Sequence, residues 1–235
     1  MNRLILETSD FISPDVCRIT GRRFRQLVDV IKTPVGKVCK VGLLGALRGT
    51  GEVIEVTSED ITLRVTLDEK SPEAIPVRLA IALQRPQTFS KVLHIATTMG
   101  VKEILFFHSF KVEKSYWQSP RILPENFRSE LIEALEQCGD TILPEIKFCN
   151  RFKDFSEGVL QDFSSGSTMI FGDPPATRNA AEFNNTPVTL IVGPEGGLTE
   201  YETTKLRELG AIGVTLGARI LRTEYALAAL LGKLS

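Results

Sequence analysis

Twice in the last quarter of this chain an apolar run stops at a glycine and gives way to a helical pattern, and that repetition constrains the fold more than any other feature. The run Val188-Thr189-Leu190-Ile191-Val192 enters Gly193-Pro194-Glu195-Gly196-Gly197-Leu198. Thr199, with Glu202 three residues on, then supplies an N-cap and a capping box for a helix over 199–209. After it, Gly213–Leu216 ends at Gly217, a connection carrying Arg219 and Arg222 follows, and a helix over 224–234 begins near Thr223. Successive strand–loop–helix units call for a mainly parallel sheet covered on both faces. Such sheets bind ligands at the carboxyl ends of their strands, where both of these loops lie.

The same alternation extends upstream. Val77–Leu83 and Ile104–Phe107 read as strands, 89–99 as a helix closed by Gly100, and 124–137 as an amphipathic helix with Phe127, Leu131, Ala134 and Leu135 on one face. Ser167–Phe171 reads as another strand. Before residue 70 the period changes. Gly36–Leu44, Glu52–Val56 and Ile61–Leu67 alternate at period two, with Gly49-Thr50-Gly51 and Ser58-Glu59-Asp60 as turns between them. Short strands at this spacing suggest a small barrel, and the charged, proline-containing stretch 68–73 reads as a linker. The expected organisation is a β-domain over 1–70 and an α/β domain over 71–235.

Net charge is −1, but residues 1–48 hold nine Lys/Arg, including Arg3, Arg22, Arg23, Arg25 and Lys32, against the four acids Glu7, Asp10, Asp15 and Asp29. That imbalance suits a polyanion-facing front, or else a solvated basic face without a partner. The four cysteines form no CxxC pair and only two histidines are present, so free thiols and no metal are expected. No apolar run is long enough for a membrane helix, and the first residues lack the pattern of a signal peptide, which leads to the expectation of a cytoplasmic protein.

The first loop is neither a GxxxxGK[ST] phosphate loop nor a GxGxxG dinucleotide fingerprint, and Glu195 disfavours a bare phosphate. Its glycines admit a close ligand, or simply form a turn. Arg222 stands beside a helix N-terminus, where backbone donors already favour an anion. It either holds a phosphate or oxyanion or pairs with Glu195 or Glu224.

Taken together, Val192–Leu198 and Leu216-Gly217-Ala218-Arg219-Ile220-Leu221-Arg222-Thr223-Glu224-Tyr225-Ala226 resemble the RsmE-type SPOUT methyltransferases, which methylate N3 of a uridine in 16S ribosomal RNA. Weaker likeness spans almost the whole chain, through Arg3, the basic β-rich front, Met99–Ile104, Glu133–Gly139 and Pro144–Ile146. The resemblance implies a PUA-like RNA-binding front, using Arg3, Arg22, Arg23 and Arg25, and a catalytic domain with a deep trefoil knot. It implies S-adenosylmethionine held by Val192, Gly193, Pro194, Glu195, Gly196, Leu216, Gly217, Ile220 and Leu221. It also implies a homodimer acting on ribosomal RNA or the small ribosomal subunit. Departures from the family's pattern occur at Tyr225, Thr97–Gly100, Asp140 and Phe107–Gln118, as in a divergent paralogue; they bear on the RNA target more than on the cofactor loops.

In that setting Arg222 is expected to stabilise a uracil oxyanion or to fix the neighbouring phosphate. Glu195 or Glu224 is expected to orient it or to accept the N3 proton. Tyr116-Trp117 either stacks on a base or packs internally, and His94 reads as structural. Methylation of another RNA position, and a non-catalytic RNA-binding protein of the same fold, are the competing readings.

Overall fold

The computed structural model describes residues 2–30 and 34–235. Lys32, counted above in the basic front, lies outside them, as does the side chain of Asp29. The fold is mixed α/β, in two compact units: Met1–Pro72 with Ile132–Leu143, and Glu73–Leu131 with Pro144–Ser235.

In the first unit β1 (Leu4–Leu6), β2 (Phe11–Ser13), β3 (Val16–Thr20), β4 (Val38–Leu43), β5 (Arg48–Val56) and β6 (Asp60–Glu69) form one sheet in the order β1-β4-β5-β6-β3-β2. β1 pairs parallel with β4 and the other neighbours are antiparallel. A short helix, α1 (Gly21–Arg25), follows β3 and contributes Phe24 to a core that includes Leu4, Leu6, Ile19, Val41, Val53, Ile61 and Leu63. Gly49-Thr50-Gly51, expected as a turn, lies inside β5. A Cβ on Gly49 would collide with the Thr66 carbonyl oxygen, so the glycine is there for close approach between strands. The turn itself falls at Gly45, with φ +79.

Residues 132–143, expected in the C-terminal domain, belong to this unit for a visible reason. The N–H groups of Asn2 and Arg3 both donate to the Glu136 carbonyl (3.0 and 3.1 Å), and the Gly45 N–H donates to the Thr141 carbonyl (2.7 Å). Asp140, one of the departures noted above, accepts from the N–H groups of Thr141 and Ile142 and so shapes this turn.

The second unit contains β7 (Val77–Ala82), α2 (Pro86–Thr98), β8 (Glu103–Phe107), the first part of α3 (Pro124–Cys138) and β9 (Glu145–Cys149). It continues through α4 (Phe152–Asp154), α5 (Leu160–Phe163), β10 (Thr168–Gly172), β11 (Val188–Val192), α6 (Glu200–Glu208), β12 (Ile212–Val214) and α7 (Thr223–Leu234). Its sheet runs β12-β10-β11-β7-β8-β9, with every pairing parallel. The continuous apolar character of β11, buried at all its positions, is what a strand covered on both faces requires. β7, β8 and β9 extend the sheet one way and β10 to β12 lie on the other side of β7, so the strand order reverses beside β11. Carboxyl ends at such a reversal are where open sheets hold ligands.

Candidate active site

The chain beyond β10 (Gly172–Pro175), beyond β11 (Val192–Leu198) and beyond β12 (Val214–Leu221) surrounds a cavity of about 630 Å³. That volume suits a nucleoside-sized ligand. Val192, Gly193, Pro194, Glu195, Gly196, Leu216, Gly217, Ile220 and Leu221 all line it.

Local chemistry explains the loop shapes. The Gly197 N–H donates to the Pro194 carbonyl (2.8 Å), closing a tight turn that needs φ +70 at Gly197. Gly217 sits at φ +114, and its N–H donates to Thr215 Oγ1 (3.1 Å). The capping box is formed: Thr199 Oγ1 accepts from the Glu202 N–H (3.3 Å) and Glu202 Oε2 accepts from the Thr199 N–H (2.7 Å). Glu202 is fully buried, and its Oε1 accepts from the Phe110 N–H (3.0 Å), so it also anchors the segment after β8.

The loop after β10 was not singled out from sequence. It brings buried Asp173 to the cavity wall, where Oδ2 accepts from Arg207 Nη2 (2.6 Å). A Cβ on Gly213 would come 2.7 Å from that oxygen, which accounts for the glycine at the facing position of β12. The available signal was an apolar strand running into Asp-Pro-Pro, a third instance of the strand-end rule.

Arg222, Glu195 and Glu224 were expected to act together. Arg222 caps α7 and is exposed, and its guanidinium makes no hydrogen bond or ion pair among the described residues. Its neighbours Leu221 and Thr223 line the cavity. Glu195 pairs with Arg85 (Nε to Oε1, 3.2 Å), and Glu224 pairs with Lys91 (Nζ to Oε1, 3.2 Å). The Glu224 carboxyl is held below its ordinary pKa, chiefly by a backbone N–H at the start of α7, with Lys91 and Arg222 adding to the effect.

The four arginines expected on RNA divide in two. Arg3 is buried, donating through Nη1 to the carbonyls of Val41 (2.6 Å) and Gly49 (3.1 Å); burial and neighbouring Arg48 lower its pKa. Arg23 holds Asp10 through two bonds of 2.7 Å and also donates to the Ile5 carbonyl. Both guanidiniums are therefore spent inside the first unit. Arg22 is exposed and paired with Glu133 (3.1 Å), and Arg25 is exposed. In the second unit Trp117 donates from Nε1 to His108 Nδ1 (2.9 Å) and meets Phe148 edge-on, so packing accounts for it.

The residues present fit S-adenosylmethionine. Three glycine-bearing loops let a ligand approach main chain, apolar walls come from Leu198, Val214, Leu216 and Leu230, and the Asp173 carboxylate offers a polar contact.

A ribosomal RNA small subunit methyltransferase E from Treponema pallidum is 27% identical over 240 residues, spanning 96% of this chain and 87% of the relative. Ribosomal RNA small subunit methyltransferase E 1 from Borreliella burgdorferi is 23% identical over 229 residues, spanning 96% and 94%. The fold is shared with the crystal structure of a Neisseria gonorrhoeae ribosomal RNA small subunit methyltransferase E bound to S-adenosylmethionine. In that comparison the TM-score is 0.75 and identity 21%, over 99% of this chain and 95% of that one. Residues 71–235, which contain all three cavity loops, match the RNA methyltransferase domain model, and the chain belongs to that family.

Proposed function

We propose that this protein transfers a methyl group from S-adenosylmethionine to N3 of a uridine in small-subunit ribosomal RNA. The observation that carries the reading is the convergence of the Val192–Leu198 and Val214–Leu221 loops on one cavity at the reversal of a parallel sheet. The names of the two relatives, which match nearly the whole chain, supply the substrate class.

When bound, the donor supplies a methyl group on a positively charged sulfur, so the protein's work is orientation and control of charge. The main chain of Val192–Gly196, with Leu216, Gly217, Ile220 and Leu221, holds the donor. Arg222, without a hydrogen bond or ion pair among the described residues and beside the cavity mouth, stabilises negative charge on a uracil carbonyl oxygen as the N3 proton leaves. Glu224, kept ionised by its backbone donor and Lys91, acts on Arg222 through its charge alone rather than taking the proton. Glu195, part-exposed at the cavity, is the carboxylate assigned to proton acceptance, directly or through water.

In this reading the unit of residues 1–72 with 132–143 is the PUA-like RNA-binding part, with Arg22 and Arg25 contacting phosphate, and the unit of 73–131 with 144–235 is the catalytic domain with its trefoil knot. Ile220 and Tyr225 are 87% and 61% exposed beside the cavity, apolar surface suited to a second copy in a homodimer. With ribosomal RNA as substrate, this reading makes the protein a cytoplasmic one. No helix among the described residues is long and apolar enough to cross a membrane.

Mass spectrometry of ribosomal RNA nucleosides from cells with and without the gene tests the assignment. Loss of 3-methyluridine is expected; an unchanged level would refute it.

A further inference from the structure

Three side chains from outside the Gly193–Gly196 loop each occupy a different acceptor on it. Gln84, two residues past β7, donates from Nε2 to the Gly193 carbonyl (3.2 Å) and to the Ala82 carbonyl (2.7 Å). Arg85 meets the Glu195 carboxylate (3.2 Å), and Lys111, beyond β8, donates from Nζ to the Gly196 carbonyl (2.8 Å). The Lys111 stem also packs so closely on Gly196 that a Cβ there would fall 3.1 Å from Lys111 Cδ.

Gln84 is the informative member. It is 1% exposed, and its Oε1 is buried without a hydrogen-bond partner among the described residues. A position serving only to fill space would be better occupied by leucine or methionine, which carry no polar atom to desolvate. Two carbonyls take its amide N–H groups, which fixes the orientation of the amide and leaves Oε1 as the unsatisfied end. The retained amide therefore has its use on the donor side, at Gly193.

We infer that Gln84 is a positioning residue for the donor-binding loop, with Lys111 fastening the loop's far end and Arg85 its middle. A loop held at three points leaves less for ligand binding to order. The inference rests on the proposed function for the identity of the ligand, but the holding of the loop does not.

The test uses the full-length protein, wild type against Gln84→Met and Gln84→Glu. Hydrogen exchange without ligand reads the loop itself: Gln84→Met should speed exchange of the amides in residues 193–198 about tenfold, the loss of the loop's hydrogen bond from Gln84, with the β8 and β9 amides unchanged. Unchanged loop exchange overturns the inference, whatever the ligand. Calorimetry with S-adenosylmethionine then reads the consequence. Donor Kd should rise about tenfold in Gln84→Met without a fall in Tm. Gln84→Glu should bind weakly at pH 8 and recover toward pH 5, where a protonated carboxyl can donate to the Gly193 carbonyl. A loosened loop with unaltered Kd would also overturn the positioning role. Failure of the wild type to bind donor would instead count against the proposed function, leaving the exchange result to decide the loop.

Discussion

Lys91 Nζ lies 3.2 Å from Glu224 Oε1, so the carboxylate two residues after Arg222 is matched by a cation from α2, the helix packed against α7. Arg222, at the start of α7, is thereby left without an ion pair among the described residues. Arg222→Ala should lower single-turnover methylation by about a hundredfold or more, the usual cost of removing a donor aimed at developing negative charge. Donor affinity by calorimetry should stay within about threefold, because Arg222 does not line the cavity. A similar loss in both quantities would show that Arg222 serves binding rather than the reaction.

The backbone N–H at the start of α7, with Lys91 beside it, gives Glu224 a pH consequence. The pKa of Glu224 is depressed in the folded chain, so its contribution to stability is present above the unfolded pKa and is lost only as pH falls through the lower folded value. Between pH 8 and pH 6 neither stability nor turnover should show a titration that disappears in Glu224→Gln. An activity limb in that window that persists in Glu224→Gln belongs to another group. A limb abolished by the substitution would return Glu224 to the role of base.

Glu136 behaves in the opposite sense. Its carboxyl is buried, Oε1 has no hydrogen-bond partner among the described residues, and burial raises its pKa despite a backbone N–H from Ile5 and the nearby Arg22. Stability from this group is present below the unfolded pKa and drains away as pH rises through the higher folded value. Glu136→Gln should therefore raise Tm at pH 8 and leave it almost unchanged at pH 4. Thermal unfolding at the two pH values checks the difference.

How much of this was legible in sequence depended on whether a residue's local pattern matched its long-range surroundings. The capping box at Thr199 and Glu202 is local, and it formed as read. β11 and its loop were legible because an unbroken apolar strand ending in glycines has few other uses. Glycine misled at Gly49, where the cause of its presence is the carbonyl of Thr66, a strand away and invisible to a window of neighbours. β9 was missed because its exposed Lys147 and Phe148 give an edge strand no apolar run to notice. Asp173 carries no motif, and its importance comes from Gly213 and Arg207, both far along the chain. Positive charge was read correctly as composition but not as location, because burial of Arg3 depends on carbonyls that only the folded sheet assembles.

Two glycines should separate steric from conformational need. Gly49→Ala would force a methyl group onto the Thr66 carbonyl, so β5 and β6 must part, and a loss of about 3 kcal/mol or more is expected in chemical denaturation. Gly217→Ala meets nothing within 4 Å and should cost only the strain of φ +114, about 1–3 kcal/mol. Its larger effect should appear in donor Kd, since Gly217 lines the cavity. Equal stability losses would mean that the strand contact at Gly49 is easily relieved.

The division among the arginines yields the sharpest test of the basic front. Arg25 is exposed, and if it meets a phosphate, Arg25→Ala should weaken RNA binding and reduce the slope of log affinity against log salt by about one. Its effect on unfolding should be under about 0.5 kcal/mol, as for surface changes generally. Arg3→Met should do the reverse. Its guanidinium serves the carbonyls of Val41 and Gly49, on β4 and β5, so replacing it removes buried charge-assisted bonds and should lower stability by about 1–3 kcal/mol. The salt slope for RNA should not move, because a side chain turned into the sheet releases no counterion from the RNA. Filter binding across a salt series, with denaturant unfolding of the same two variants, distinguishes them. A slope reduced in Arg3→Met and unchanged in Arg25→Ala would mean that the RNA-facing surface lies elsewhere.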